Sequence, residues 1–350
     1  MNGFLRRWFR FRAALVALVV CGFVVACGGS VPTPTTGSDD CRTVSHSLGQ
    51  MEICDRPEAI AVFDIHSLDL LLSLGQQPSG VVTALPVKAD RITQPNLAIP
   101  YLGDRITTEP LNLATLGQIP SLETVVRLNP DLIVGESWNI QGASSVLSEI
   151  APALPLAPRS EKGNWRDNLQ ALAVALGDEA LADAAIERYE QQVQAARAEF
   201  AEVVAAHPKV LLLTGESLYR GAIYVLTGEG FIGELLEEIG FEMVEPPGVV
   251  RNFMPSSIEI LPDLEADLVF VLGYSSEPNP SVEPNEVNAD ALIDRQLGRI
   301  RDDWQANPIA QSLSASRNDR VYFRTFYEWN VLNGPLGAEL ILQQLRQILL

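Results

Sequence analysis

From Ala59 onward, short continuous apolar runs alternate with longer segments whose apolar residues recur every three to four positions. Runs at 61–64, 80–82 and 131–134 have the length and composition of buried strands; segments at 67–74, 121–128, 144–150 and 165–176 have the periodicity of helices. After residue 208 the alternation begins again, with strands at 210–213, 223–226, 268–271 and 321–323 and helices at 231–239 and 336–349. Such a pattern predicts an α/β fold built as two units, each with a largely parallel sheet.

Between the units, Asp178 to His207 contains neither glycine nor proline. Its apolar positions Ala182, Ile186, Tyr189, Val193, Ala196, Phe200 and Val203 step by four and three, which draws one stripe along a helical face. Gly177 ends the preceding helix, Asp178 offers a capping oxygen, and Pro208 stops the run. At ~1.5 Å per residue the rod would reach roughly 43 Å. It reads either as a coiled-coil or surface helix or as a single rigid spacer, and the repeat of the α/β pattern on both sides favours the spacer. The division is therefore 41–177, 178–207 and 208–350.

The N-terminal end adds two short segments. Residues 1–27 have the form of an export signal, with Arg6, Arg7, Arg10 and Arg12 ahead of an apolar core from Ala13 to Val25. The core ends in Val24-Val25-Ala26-Cys27-Gly28, which resembles a lipobox, so Cys27 is the expected lipidation site; an ordinary cleaved signal with an incidental cysteine is the alternative. The Arg6-Arg7 pair leaves the general and twin-arginine export routes both open. Residues 28–40, rich in Pro, Thr, Ser and Gly, read as a solvated tether. Next, Cys41 and Cys54 bracket a hairpin turning at Ser47-Leu48; pairing His46 with Gly49 sets the two cysteines opposite each other. In an exported protein that register favours a disulfide over two free thiols.

Residues 121–134 align without gaps on residues 257–270, sharing Ser, Glu, Leu, Asp and Leu in register. Glu123 and Glu259 thereby become equivalent acidic positions on the first turn of a helix, explained either by a local preference of carboxylates for helix starts or by a paired role.

His46-Ser47-Leu48-Gly49, Pro57-Glu58-Ala59-Ile60, Pro120-Ser121-Leu122-Glu123, Asn129-Pro130-Asp131-Leu132, Ile150-Ala151-Pro152, Asn307-Pro308 and Asp319-Arg320-Val321-Tyr322 resemble, in order and spacing from Cys41 to Leu350, the ferric-siderophore substrate-binding lipoproteins of bacterial ABC importers. The resemblance implies two Rossmann-like α/β lobes joined by one long helix, with the ligand in the cleft between them. It implies a monomeric periplasmic receptor held to the membrane by lipid, delivering a ferric siderophore to an inner-membrane ABC permease dimer. It assigns Glu123 and Glu259 to docking on that permease. Cobalamin and haem receptors share the fold and remain alternative readings.

The available chemistry fits a carrier. Three histidines, His46, His66 and His207, are too few and too scattered to hold a bare transition metal, whereas chelated iron needs only aromatic walls and a few donors. No cofactor is expected. Ligands in α/β folds lie beyond strand ends, which selects Trp138, Tyr274, Tyr327 and Trp329; Arg220 and Arg251 could donate charged hydrogen bonds to ligand oxygens. For each aromatic the alternative is a packing role, and for each arginine a solvated charge. Gly228-Glu229-Gly230-Phe231-Ile232-Gly233 fits a dinucleotide fingerprint but reads better as a glycine-rich helix start far from the domain's beginning. No nucleophile elbow or phosphate-loop lysine supports an enzyme, the reading from a different class. The formal charge of -19, which becomes -23 once the four leader arginines are removed, argues against nucleic acid as a partner.

Overall fold

The structure is a computed structural model that describes residues 41–215, 218–248, 251–273 and 289–350. The export signal, the tether, Cys27 and Tyr274 lie outside the described residues.

The hairpin β1 (Cys41–His46) and β2 (Gly49–Cys54) has the expected register, Cys41 opposite Cys54 and His46 opposite Gly49, and the two cysteines form a disulfide. The first sheet is built from β3 (Ile60–Val62), β4 (Gly80–Thr83), β5 (Leu111–Thr115), β6 (Leu132–Glu136) and β7 (Ala153–Leu156), all parallel, in the order β5-β4-β3-β6-β7. Its principal helices are α1 (Ile65–Ser73), α2 (Leu122–Leu128) and α3 (Asn164–Leu176). The strands are apolar on both faces because helices cover both; Ile60, Ala61, Val62, Leu132, Ile133 and Val134 are all buried. Arg42 ties the hairpin to this lobe by donating to the carbonyls of Val174 (2.6 Å) and Ala175 (2.5 Å) in the last turn of α3, where a cation is favoured.

The expected single rod is two helices, α4 (Ala180–Glu199) and α5 (Ala201–Ala206), divided at Phe200. The division is mild. Phe200 donates to the Ala196 carbonyl at 2.9 Å and accepts from Val204 N–H at 2.8 Å, so the chain keeps its direction while Phe200 becomes fully buried.

The second sheet comprises β8 (Lys209–Thr214), β9 (Ala222–Leu226), β11 (Met254–Ser257), β12 (Leu268–Gly273) and β13 (Val321–Thr325) in the order β11-β9-β8-β12-β13, with the short β10 (Glu242–Met243) on one end of β8. Here β8, β12 and β13 are parallel, while β9 runs antiparallel to β8 and to β11. Its helices include α6 (Phe231–Glu238), α7 (Ala289–Ala306) and the closing α8 (Pro335–Leu349).

Each sheet has its own outer core, but a third and larger core is common to both. Trp165 of α3, Tyr189 of α4 and Phe231 of α6 meet inside it: the Trp165 ring lies 4.6 Å from Tyr189 and 6.4 Å from Phe231. Arg166 covers Trp165 and Tyr189 and pairs with Glu234 (2.7 Å) and Glu238 (2.9 Å) of α6. α8 returns to the first lobe, where the buried Asp69 carboxylate accepts from Leu336 N–H (3.1 Å) and Gly337 N–H (2.8 Å). The connecting helices are therefore a wall of a shared interior rather than a strut holding two bodies apart. Separating the lobes would expose that interior, so large hinge motion is disfavoured.

Candidate ligand-binding cleft

A cleft of about 470 Å³ opens at the C-terminal ends of parallel strands from both sheets. Phe63 and Asp64 follow β3, Val82 lies in β4, Leu116 to Gln118 follow β5, Trp138 and Asn139 follow β6, and Arg159 follows β7. The second lobe contributes Thr214, Tyr224, Phe253, Phe326 and Val331. Trp138 and Tyr224 expose about half of their surface, 56% and 46%, so both rings are open to a molecule that enters the cleft.

The floor on the first-lobe side is a closed polar cluster. Asp64 caps α1, accepting from Ser67 N–H at 2.8 Å, and its other oxygen takes Glu136 N–H (2.7 Å) and the Asn139 amide (3.2 Å). Gly135 makes this approach feasible, since a Cβ there would lie 2.9 Å from Phe63 Cβ and 3.3 Å from Asp64 Oδ2. Glu136, buried, pairs with the Arg159 guanidinium and accepts Arg159 N–H at 2.8 Å. Arg159 also donates from Nε to the Asn330 carbonyl across the cleft (3.2 Å). Burial pushes the Glu136 carboxyl above its usual range, with Asp64 adding to the rise and Arg159 opposing it. His66, fully buried beside Asn168, is pushed down to about 4 chiefly by burial, so it is neutral at neutral pH.

On the opposite wall, Phe253 stands in the left-handed region at φ 59°, a conformation that costs a bulky residue on the order of 1 kcal/mol or more. Asn252 holds it there: its amide oxygen accepts Thr227 N–H and Phe253 N–H, both at 3.1 Å, and its nitrogen donates to Ser160 O at 3.2 Å. The Phe253 ring faces Phe326 at 6.1 Å. These hydrogen bonds offset the backbone strain and keep the Phe253 ring on the cleft wall.

Of the residues expected at the site, Trp138 lines the cleft. Arg251 lines an adjoining cavity that shares Tyr224 and Phe253 with it. Arg220, exposed in the short helix Leu218–Arg220, is not among the lining residues. Two aromatics belong to packing instead. Trp329 is fully buried, 5.0 Å from Phe270, and its indole N–H donates to Gln344 at 2.7 Å. The Tyr327 hydroxyl donates to Pro100 O at 3.2 Å, and burial raises its pKa. After β13 the chain enters a π-helical turn at Tyr327–Val331, which aims these rings inward and leaves Phe326 at the cleft. Arg159, Asp64, Phe63, Tyr224, Phe253 and Phe326 are not singled out by the sequence; Phe63 and Asp64 fall inside the apolar run 61–64, whereas the strand itself ends at Val62.

Glu123 and Glu259 are exposed on the first turns of their helices, capped by Ser121 and Ser257 respectively. The glycine-rich 228–233 segment is a packing device. Gly228 N–H is taken by the Glu245 carboxylate at 2.6 Å, and a Cβ on Gly233 would lie 2.2 Å from Thr227 O. A carboxylate already occupying that N–H repels phosphate. Among the described residues, no helix is long and apolar enough to cross a membrane.

Comparisons with known proteins agree with this architecture. Over 300 residues the chain is 25% identical to an achromobactin-binding periplasmic protein of Dickeya dadantii, covering 83% of this chain and 86% of the relative. It is also 25% identical to a probable siderophore-binding lipoprotein of Bacillus subtilis, covering 96% and 95%. Among solved structures, a periplasmic solute-binding protein of Mycobacterium smegmatis superposes with a TM-score of 0.68 at 21% identity, covering 88% of this chain and 97% of that one. Staphylococcus aureus SirA complexed with staphyloferrin B gives 0.66 at 22%, covering 87% and 97%. The periplasmic binding protein family model matches residues 60–327, which include strands of both sheets, both connecting helices and the first-lobe and second-lobe walls of the cleft, so the chain belongs to the periplasmic binding protein family.

Proposed function

We propose that this protein is an extracytoplasmic receptor that takes up a ferric siderophore in the interlobe cleft and hands it, unchanged, to an ABC permease. The observation that carries the reading is the cleft itself, where five aromatic side chains and one arginine converge from two lobes. Rings supply area and an arginine supplies directed donors, which is what an already chelated iron requires of a protein. Relatives named for siderophore binding over nearly the whole chain support the same cargo. The test is tryptophan emission of the purified protein titrated with ferric hydroxamate, ferric catecholate, ferric citrate, cobalamin and haem. Saturable change with a ferric siderophore is expected, and saturation by cobalamin or haem alone overturns the reading.

Delivery would use Glu123 and Glu259, one exposed carboxylate per lobe on matching helix starts, against cationic residues of the permease dimer. Lipidation at Cys27 would tether the receptor to the membrane, with the disulfide Cys41–Cys54 closing the hairpin at the start of the folded body. Cys27→Ala is then expected to move the protein from the membrane to the soluble fraction, and unchanged membrane retention contradicts the anchor.

A further inference from the structure

We infer that the ferric complex this cleft takes carries little or no net negative charge, as a tris-hydroxamate complex does and a tris-catecholate trianion does not. The inference rests on the receptor reading above. Among the described residues, the charged side chains lining the cleft are Asp64 and Arg159, and those lining the adjoining cavity are Glu161 and Arg251. Each cation is matched by one carboxylate, and Glu136 directly behind Arg159 adds another. Arg159 has already committed N–H groups to Glu136 and to Asn330 O, so it can direct a hydrogen bond to one ligand oxygen without presenting uncompensated positive charge.

Among the described residues, those that line the second-lobe wall are uncharged: Thr214, Tyr224, Phe253, Phe326 and Val331 offer rings, methyl groups and hydroxyls. By composition, residues 274–288 contain Glu277, Glu283 and Glu286 and neither lysine nor arginine. A trianion entering such a site would lose hydration against apolar walls with no net positive field in return, on a chain whose formal charge is -19. A complex whose iron charge is cancelled by its own chelator meets no such penalty, and its hydrocarbon exterior suits the rings.

The experiment is calorimetric titration of the mature protein with ferrichrome, a neutral tris-hydroxamate, and with ferric enterobactin, a tris-catecholate trianion, at low and high sodium chloride. Ferrichrome is expected to bind tighter by on the order of 100-fold, with a Kd that salt leaves unchanged because the ligand has no net charge. Glu161→Lys is expected to improve enterobactin binding about tenfold at low salt, an effect that salt screens. Tighter binding of enterobactin to the unmodified protein overturns the charge inference and leaves the receptor reading standing. Binding of cobalamin or haem but of no ferric complex overturns both.

Discussion

The helix-strand unit 121–136 in the first lobe and the unit 257–272 in the second begin, end and anchor alike, yet their lobes differ in what they present to the cleft. Both begin on a serine cap; both end in the left-handed region eight residues later, at Asn129 (φ 50°) and Glu265 (φ 42°). Both then use an aspartate to fasten the central strand. Asp131 accepts from Ala59 N–H at 2.9 Å, and Asp267 accepts from Lys209 N–H at 3.0 Å. The second copy is a 3-10 helix where the first is α, because Pro262 interrupts it. Yet the first lobe places Asp64 and Arg159 at the cleft, with Glu136 behind Arg159, whereas the described second-lobe residues that line it are uncharged. A duplicated scaffold fixes where a cleft forms; the residues just past the strands decide what enters it.

The contrast can be broken most strongly in the second lobe's rings. Trp329→Ala removes a fully buried side chain and is expected to cost about 4 kcal/mol in urea unfolding. Trp138→Ala, at an exposed ring, should stay within ~0.5 kcal/mol in stability while weakening ligand binding about tenfold. Arg159→Ala comes next. It strands the buried Glu136 and should destabilise by about 3 kcal/mol, whereas Arg159→Leu with Glu136→Gln should recover most of that loss.

Two buried groups on α1 sharpen the comparison through pH. Burial pushes the Asp69 carboxyl up to about 6, against the hydrogen bonds from α8; being protonated more readily when folded, it adds stability as pH falls from about 6 toward 4. His66, pushed down to about 4, resists protonation when folded and subtracts stability over nearly the same window. The two slopes oppose, so Asp69→Asn should expose a loss of stability between pH 6.5 and 4 that the unmodified protein largely masks. Urea midpoints across that range check it. The smallest effect in the isolated protein belongs to Glu123→Arg with Glu259→Arg, expected to leave melting and ligand Kd unchanged while abolishing iron uptake in cells.

The sequence made the central strands legible because continuous apolar runs such as 268–271 have few other readings, and the hairpin register followed from the turn alone. β7 escaped notice because Pro152, Pro155 and Pro158 punctuate it. Proline is tolerated there since β7 is an edge strand, and β11 with Pro255 is the same case. Missing β7 hid Arg159, the next residues along. Nor does periodicity reveal that the chain widens into a π-helical turn after β13, which turns Trp329 inward and leaves Phe326 at the cleft. The shared core was invisible for a different reason: an amphipathic stripe shows that a helix is covered, not that both lobes cover it.

The most direct test of the account is the site of the fluorescence change. The other tryptophans of the described body, Trp165, Trp304 and Trp329, are buried, so a ferric siderophore that quenches emission should do so chiefly through Trp138. In Trp138→Phe the account predicts that most of the quench disappears while calorimetry still detects one-to-one binding. A quench of full size in that variant would place the ligand elsewhere and contradict the interlobe cleft as its site.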